Sequence, residues 1–110
     1  MGDPAPSQLS EAMNRLWQKF LPQMEQRLAT LQDAAARLAS GAGLSEEEQA
    51  AAAGEAHKLA GVLGTFGLTE GTELAREAEL LCEGRLDTSP DAVTRLAAIG
   101  EKLKAMVESR

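Results

Sequence analysis

The sequence predicts an all-α protein: an up-and-down antiparallel four-helix bundle with an N-terminal helical extension before Pro22. Three observations predict it. Tyrosine is absent, there are three valines and one isoleucine, and alanine, leucine and glutamate abound, a composition that favours helix over strand. Apolar residues recur three and four apart along most of the chain. The connections at 41–44, 67–69 and 85–88 are short, which makes successive helices antiparallel neighbours.

Residues 1–6 carry glycine and proline and are expected to be disordered; residues 7–110 are expected to form a single domain, because no repeat, low-complexity run or linker divides them. From Ser7, Leu9, Met13, Leu16 and Phe20 follow helical spacing, with Trp17 beside them. Pro22 lacks a backbone donor and crowds the carbonyl of Gln18, so a kink or restart is expected there. Met24, Leu28, Leu31, Ala35 and Leu38 then form a bundle seam that Gly41 and Gly43 end. Ser45 with Glu48 reads as a capping box opening a second helix that runs to about Phe66. Thr69 is expected to cap a third, with Leu74, Ala78 and Leu81 inward and Gly84 at its close. Ser89-Pro90 is an N-cap with proline at the first helical position, and Val93, Leu96, Ile99 or Gly100, Leu103 and Met106 line the last helix.

Bulk properties exclude several functions. The chain has 110 residues, 44% of them hydrophobic but only 3% aromatic, so its core must be Leu, Ala and Met. A net charge of −6 repels phosphate backbones and anionic lipid, so neither nucleic acid nor a membrane surface is an expected partner. The single cysteine, Cys82, allows no internal disulfide, suits a reducing compartment and reads as a small buried hydrophobe. No apolar run is long enough to span a bilayer, and the N-terminus lacks a secretory pattern; a cytoplasmic protein, or a cytoplasmic piece of a larger one, is expected.

The chemistry concentrates on the only histidine, His57, in EAHKLAGVLGTFGLTEG. Leu59, Val62, Leu63 and Phe66 fall on one side of the helical wheel, and His57 lies ~160° from Leu59, facing solvent. Its helical neighbours, Ala53, Gly54, Ala60, Gly61 and Gly64, are all alanine or glycine. Each interior glycine costs on the order of 1 kcal/mol relative to alanine, a cost that folding alone does not explain. Small residues also serve close helix packing, but that reading buries His57 at a contact and wastes the opposite apolar face. The pattern therefore predicts an imidazole standing in a clearing, with no neighbouring acid, base or metal. Such a ring is a nucleophile able to receive a group and pass it on, and phosphoryl transfer asks little more of its acceptor than position. Lys58, the only cation between Ser45 and Gly67, is placed to steady phosphoryl oxygens. Glu-x-x-His pairing for a metal bundle is missing, since Gly54 stands three residues before His57, and no metal site is expected.

The segment His57-Lys58-Leu59-Ala60-Gly61, with Gly64 and Gly67 after it and LAREAELL downstream, resembles the signature of histidine-containing phosphotransfer (HPt) domains. The resemblance runs from about Met24 to Met106. It implies a four-helix bundle that acts in two-component phosphorelays. His57 would take a phosphoryl group on Nε2 and exchange it with the aspartate of a response-regulator receiver domain, or receive it from a sensor histidine kinase. Gly61 would keep the ring accessible. Many members carry lysine three residues after the histidine, where this chain has Ala60; Lys58 is the substitute at hand. The implied role is that of a phosphoryl carrier, monomeric and not an enzyme, since no nucleotide-binding or kinase motif is present. It would bind no cofactor, the receiver supplying Mg²⁺. Docking is expected on Ala50, Ala53, Gly54, Lys58, Ala60, Gly61, Gly64 and Thr65. The competing reading is a non-catalytic helical adaptor that binds receivers without phosphotransfer.

Overall fold

The computed structural model describes residues 6–84 and 86–110. The expected disorder at 1–5 and the inward side chain of Leu9 fall outside the described residues, while Pro6 opens the first helix. The helices are α1 (Pro6–Ala39), α2 (Glu46–Thr65), α3 (Thr69–Cys82) and α4 (Pro90–Ser109). Each packs on the next and α4 closes back on α1. Every neighbouring pair is antiparallel: Trp17 meets Phe66 and Arg27 meets Glu55 across α1 and α2. His57 meets Glu79 across α2 and α3, and Arg95 meets Glu77 across α3 and α4.

Local chemistry accounts for the boundaries. At the start of α2, Glu48 N–H donates to Ser45 Oγ at 3.1 Å and Ser45 N–H donates to Glu48 Oε1 at 2.9 Å, a closed capping box. At its end Gly67 adopts φ +72°, its N–H donates to the Gly64 carbonyl, and Leu68 N–H donates to the Leu63 carbonyl. This Schellman turn requires the left-handed conformation that glycine reaches without penalty. It also corrects the expected cap of α3. Leu68, already pinned by the turn, is the N-cap and offers no side-chain hydrogen bond, while Thr69 is the first helical residue. Ser89 caps α4 through Ala92 N–H at 3.3 Å, with Pro90 following as expected.

The restart allowed for at Pro22 does not occur: α1 runs through it as one helix. Pro22 is exposed, so the unpaired Gln18 carbonyl can turn to water. The helix on both sides of Pro22 is anchored by burial, Trp17 before it and Met24 after it. The extension before Pro22 is therefore a continuation of α1. The Trp17 ring lies edge-on to Phe66 at the end of α2, centroids 5.0 Å apart, and the Arg110 guanidinium covers Trp17 at 5.0 Å. A 34-residue helix spans ~51 Å against ~30 Å for its 20-residue partners, which explains the long axis of 58 Å in a body 22 by 20 Å across.

The core is aliphatic, as composition required. Met24, Leu31, Ala52, Ala56, Leu59, Leu63, Ala75, Ala78, Ile99 and Leu103 are fully or almost fully buried. Val62, Leu81 and Met106, expected inside, are half-buried at its edge, and Val107 takes the inward place beside Met106. Cys82 is buried among them, and burial pushes its thiol pKa up, which keeps it unreactive.

Candidate functional site

His57 sits in the fourth turn of α2, and its side chain is 74% exposed. The alanine-rich first half of α2, the capping box and three acidic residues in the first turn all favour helix, so the ring is presented by a rigid element. Leu59, Leu63 and Phe66 turn inward as the wheel requires.

The glycines beside the ring are not demanded by packing. A Cβ added at Gly54 or Gly61 would meet nothing within 4 Å, and one at Gly64 would make only ordinary contact with Thr72 Oγ1 at 3.5 Å. None of the three has positive φ. Alanine would fit and stabilise the helix at each, so the open space around His57 is kept for some purpose other than folding.

Ala60 is a correction. Expected on the open face, it is 5% exposed, covered by α3. Three residues from His57 is ~60° around the helix, which brings Ala60 onto the flank that meets α3. The Thr72 hydroxyl donates to its carbonyl at 3.4 Å there. Small residues thus do two jobs: Ala60 lets α3 approach, while Gly54 and Gly61 leave the outer face bare.

The expectation of a solitary ring is also corrected. Glu79 of α3 places Oε2 3.0 Å from His57 Nδ1. The Glu79 side chain is 19% exposed, so the contact is sheltered on one side. With the ring neutral, the Nδ1–H tautomer donates to this carboxylate and Nε2 keeps its lone pair in the sp² plane. Among the described residues, then, the ring nitrogen without a protein partner is Nε2. Glu83, one turn on, shares a hydrogen bond with Glu79; that bond, with burial and the like charge, raises the Glu83 carboxyl above its ordinary value.

Against known families, the model of the Hpt domain matches residues 15–109. The chain belongs to the Hpt domain family. Neither the curated proteins nor the solved structures compared with it gave a match. Hpt domains are phosphocarrier modules of phosphorelay signalling rather than enzymes in themselves, and they interact in general with receiver domains and histidine kinases.

In this Hpt domain the remaining sequence-derived positions are only partly brought together. Lys58 is exposed, but its Nζ lies 3.9 Å from Glu55 Oε1 on the flank facing α1, whereas the partner of His57 comes from α3. Glu55 also accepts from Arg27 Nη1 at 2.7 Å. Ala50, Gly61, Gly64 and Thr65 are exposed, and Ala53 and Gly54 are half-buried. The Thr65 hydroxyl is turned back onto the Gly61 carbonyl at 3.0 Å, leaving its methyl outward. Among the described residues no group of three metal-ligating side chains forms, and no helix is long and apolar enough to cross a membrane.

Glu79 is the residue of the candidate site that the sequence reading missed. Its signal was faint: it follows the inward Ala78 by ~100°, on a flank of α3, and only the antiparallel register shows that this flank meets His57.

Proposed function

We infer that this Hpt domain is a phosphorelay intermediate in which Nε2 of His57 attacks the phosphorus of a receiver domain's aspartyl phosphate. The P–N bond forms, the P–O bond to the aspartate carboxylate breaks, and the carboxylate leaves; the reverse reaction passes the group on. A sensor histidine kinase is the alternative donor. The observation that carries the reading is the asymmetry of the ring: Nδ1 is held by Glu79 while Nε2 stands in a clearing whose glycines folding does not need.

The rest follows from electrostatics. As Nε2 bonds to phosphorus the ring gains positive charge, and the Glu79 carboxylate on Nδ1–H stabilises it. In-line positioning and charge neutralisation dominate phosphoryl transfer, and the receiver's acidic pocket would supply the Mg²⁺. The docking face would be Ala50, Ala53, Gly54, Lys58, Gly61, Gly64 and Thr65, with a monomer meeting one receiver at a time in a transient encounter.

The test is incubation with phosphorylated receivers from the same cell. Acid-labile, base-stable label is expected on the protein and should vanish in His57→Gln. Label that survives the substitution overturns the site. No label with any receiver or kinase would favour the adaptor reading.

A further inference from the structure

A phosphoryl group on His57 would bring about two negative charges beside Glu79, with Glu83 one turn away. The field at that place needs a cation. Among the described residues α2 and α3 carry one cation each, Lys58 and Arg76. Lys58 is drawn toward Glu55 on the α1 flank. The position three after His57 holds Ala60, buried beneath α3, so no side chain there can reach out. Of the described cations on these two helices, that leaves the one across the α2–α3 seam.

Resting on the reading of His57 as phosphoacceptor, the geometry points to Arg76 as the phosphoryl-binding residue of this domain. Arg76 precedes Glu79 by three residues, which places it ~4.5 Å along the α3 axis and ~60° further out on the same flank. The antiparallel register, set by His57 with Glu79 and Ala60 with Thr72, puts it between the levels of His57 and Ala60. That is within one turn of His57, inside the reach of an arginine side chain. On the α3 side of His57 the residues of α2 are Ala53, Ala60 and Gly64, all too small to block the approach. Arg76 is exposed, and among the described residues no hydrogen bond or ion pair commits its guanidinium. Other arginines of the bundle are engaged: Arg27 with Glu55, Arg37 with Glu48, Arg95 with Glu77. A guanidinium offers paired N–H donors that match two phosphoryl oxygens, which a lysine does not. The glycine clearing thus admits the receiver from outside and the arginine from the side.

The experiment compares the full chain with Arg76→Gln and Arg76→Lys, using a phosphorylated receiver and, separately, the small donor phosphoramidate. The share of label held on His57 at equilibrium with the receiver should fall about tenfold in Arg76→Gln, with partial recovery in Arg76→Lys; a hydrogen-bonded charge at an exposed site is worth less than the hundredfold of a buried one. Phosphorus NMR adds a readout that a structural role would not move: the last ionisation of the phosphoryl group should shift to higher pH when the cation is removed. Circular dichroism should show unchanged folding. Equal labelling and an unmoved phosphorus titration in Arg76→Gln overturn the assignment and leave His57 standing. A loss seen with the receiver but not with phosphoramidate places Arg76 in docking and overturns phosphoryl contact. Failure of the unaltered chain to take label from either donor brings down the reading of His57 itself.

Discussion

Gly61→Leu separates stability from function in opposite directions. The φ of Gly61 is not positive, and a Cβ there meets no atom within 4 Å, so leucine enters without strain or clash. Glycine in a helix interior is ~0.8–1 kcal/mol worse than alanine and leucine only slightly worse than alanine, so the substitution should gain about 0.7 kcal/mol. At ~2.1 cal/mol/K per residue, unfolding 110 residues has an entropy near 0.23 kcal/mol/K, and the melting temperature should rise by about 3 °C. Transfer should move the other way. Residues four apart on a helix have Cβ atoms ~5–6 Å apart, and helical side chains lean toward the N-terminus, so the isobutyl group lies back over the turn that carries His57. It stands in the space that an incoming phosphorus needs. Transfer from a phosphorylated receiver should slow tenfold or more, a barrier increase of at least ~1.4 kcal/mol. Stopped-time labelling together with thermal melts measures both effects. A variant that transfers at the normal rate, or one that melts lower, refutes the view that Gly61 is kept small for access.

Glu79→Ala removes the acceptor at Nδ1. Nitrogen NMR should show the ring leaving the Nδ1–H tautomer, with transfer slowed about tenfold and only a small change in stability; an unaltered tautomer would show that Glu79 does not set the ring. Pro22→Ala restores a backbone donor inside an unbroken helix at an exposed position and should stabilise by up to about 3 kcal/mol in urea unfolding; a loss would mean that proline suits a bend in α1. Ser45→Ala opens the capping box and should cost about 1 kcal/mol. Acid should weaken the fold through related groups. Ser45 N–H holds the Glu48 carboxyl below its ordinary 4.5, and the Arg95 hydrogen bond does the same for Glu77. Both carboxyls bind protons less readily folded than unfolded, so their stabilisation is present above pH 4.5 and is lost as pH falls through their lowered values. Glu83, raised chiefly by its hydrogen bond to Glu79, has the opposite sign: its contribution is present below pH 4.5 and fades as pH rises through its raised value. Thermal melts should therefore fall below pH 4.5, less steeply in Ser45→Ala, and a flat profile there would remove the cap and the Arg95 pair from the account.

By itself the amino-acid order determined the helices, the capping box at Ser45 and Glu48, the proline-led start of α4, and the outward placement of His57 among small residues. These are short-range properties: propensity, caps and a wheel of 3.6 residues act within a few turns of one helix. Only the tertiary structure decided that Ala60 lies under α3, that Lys58 leans to Glu55, that α1 passes through Pro22 unbroken, and that Glu79 reaches Nδ1. A wheel states the angle of a residue about its own axis. It does not state which neighbour covers each flank or at what height, because that register is set by how side chains of two helices interlock, here Thr72 against Ala60 and Gly64.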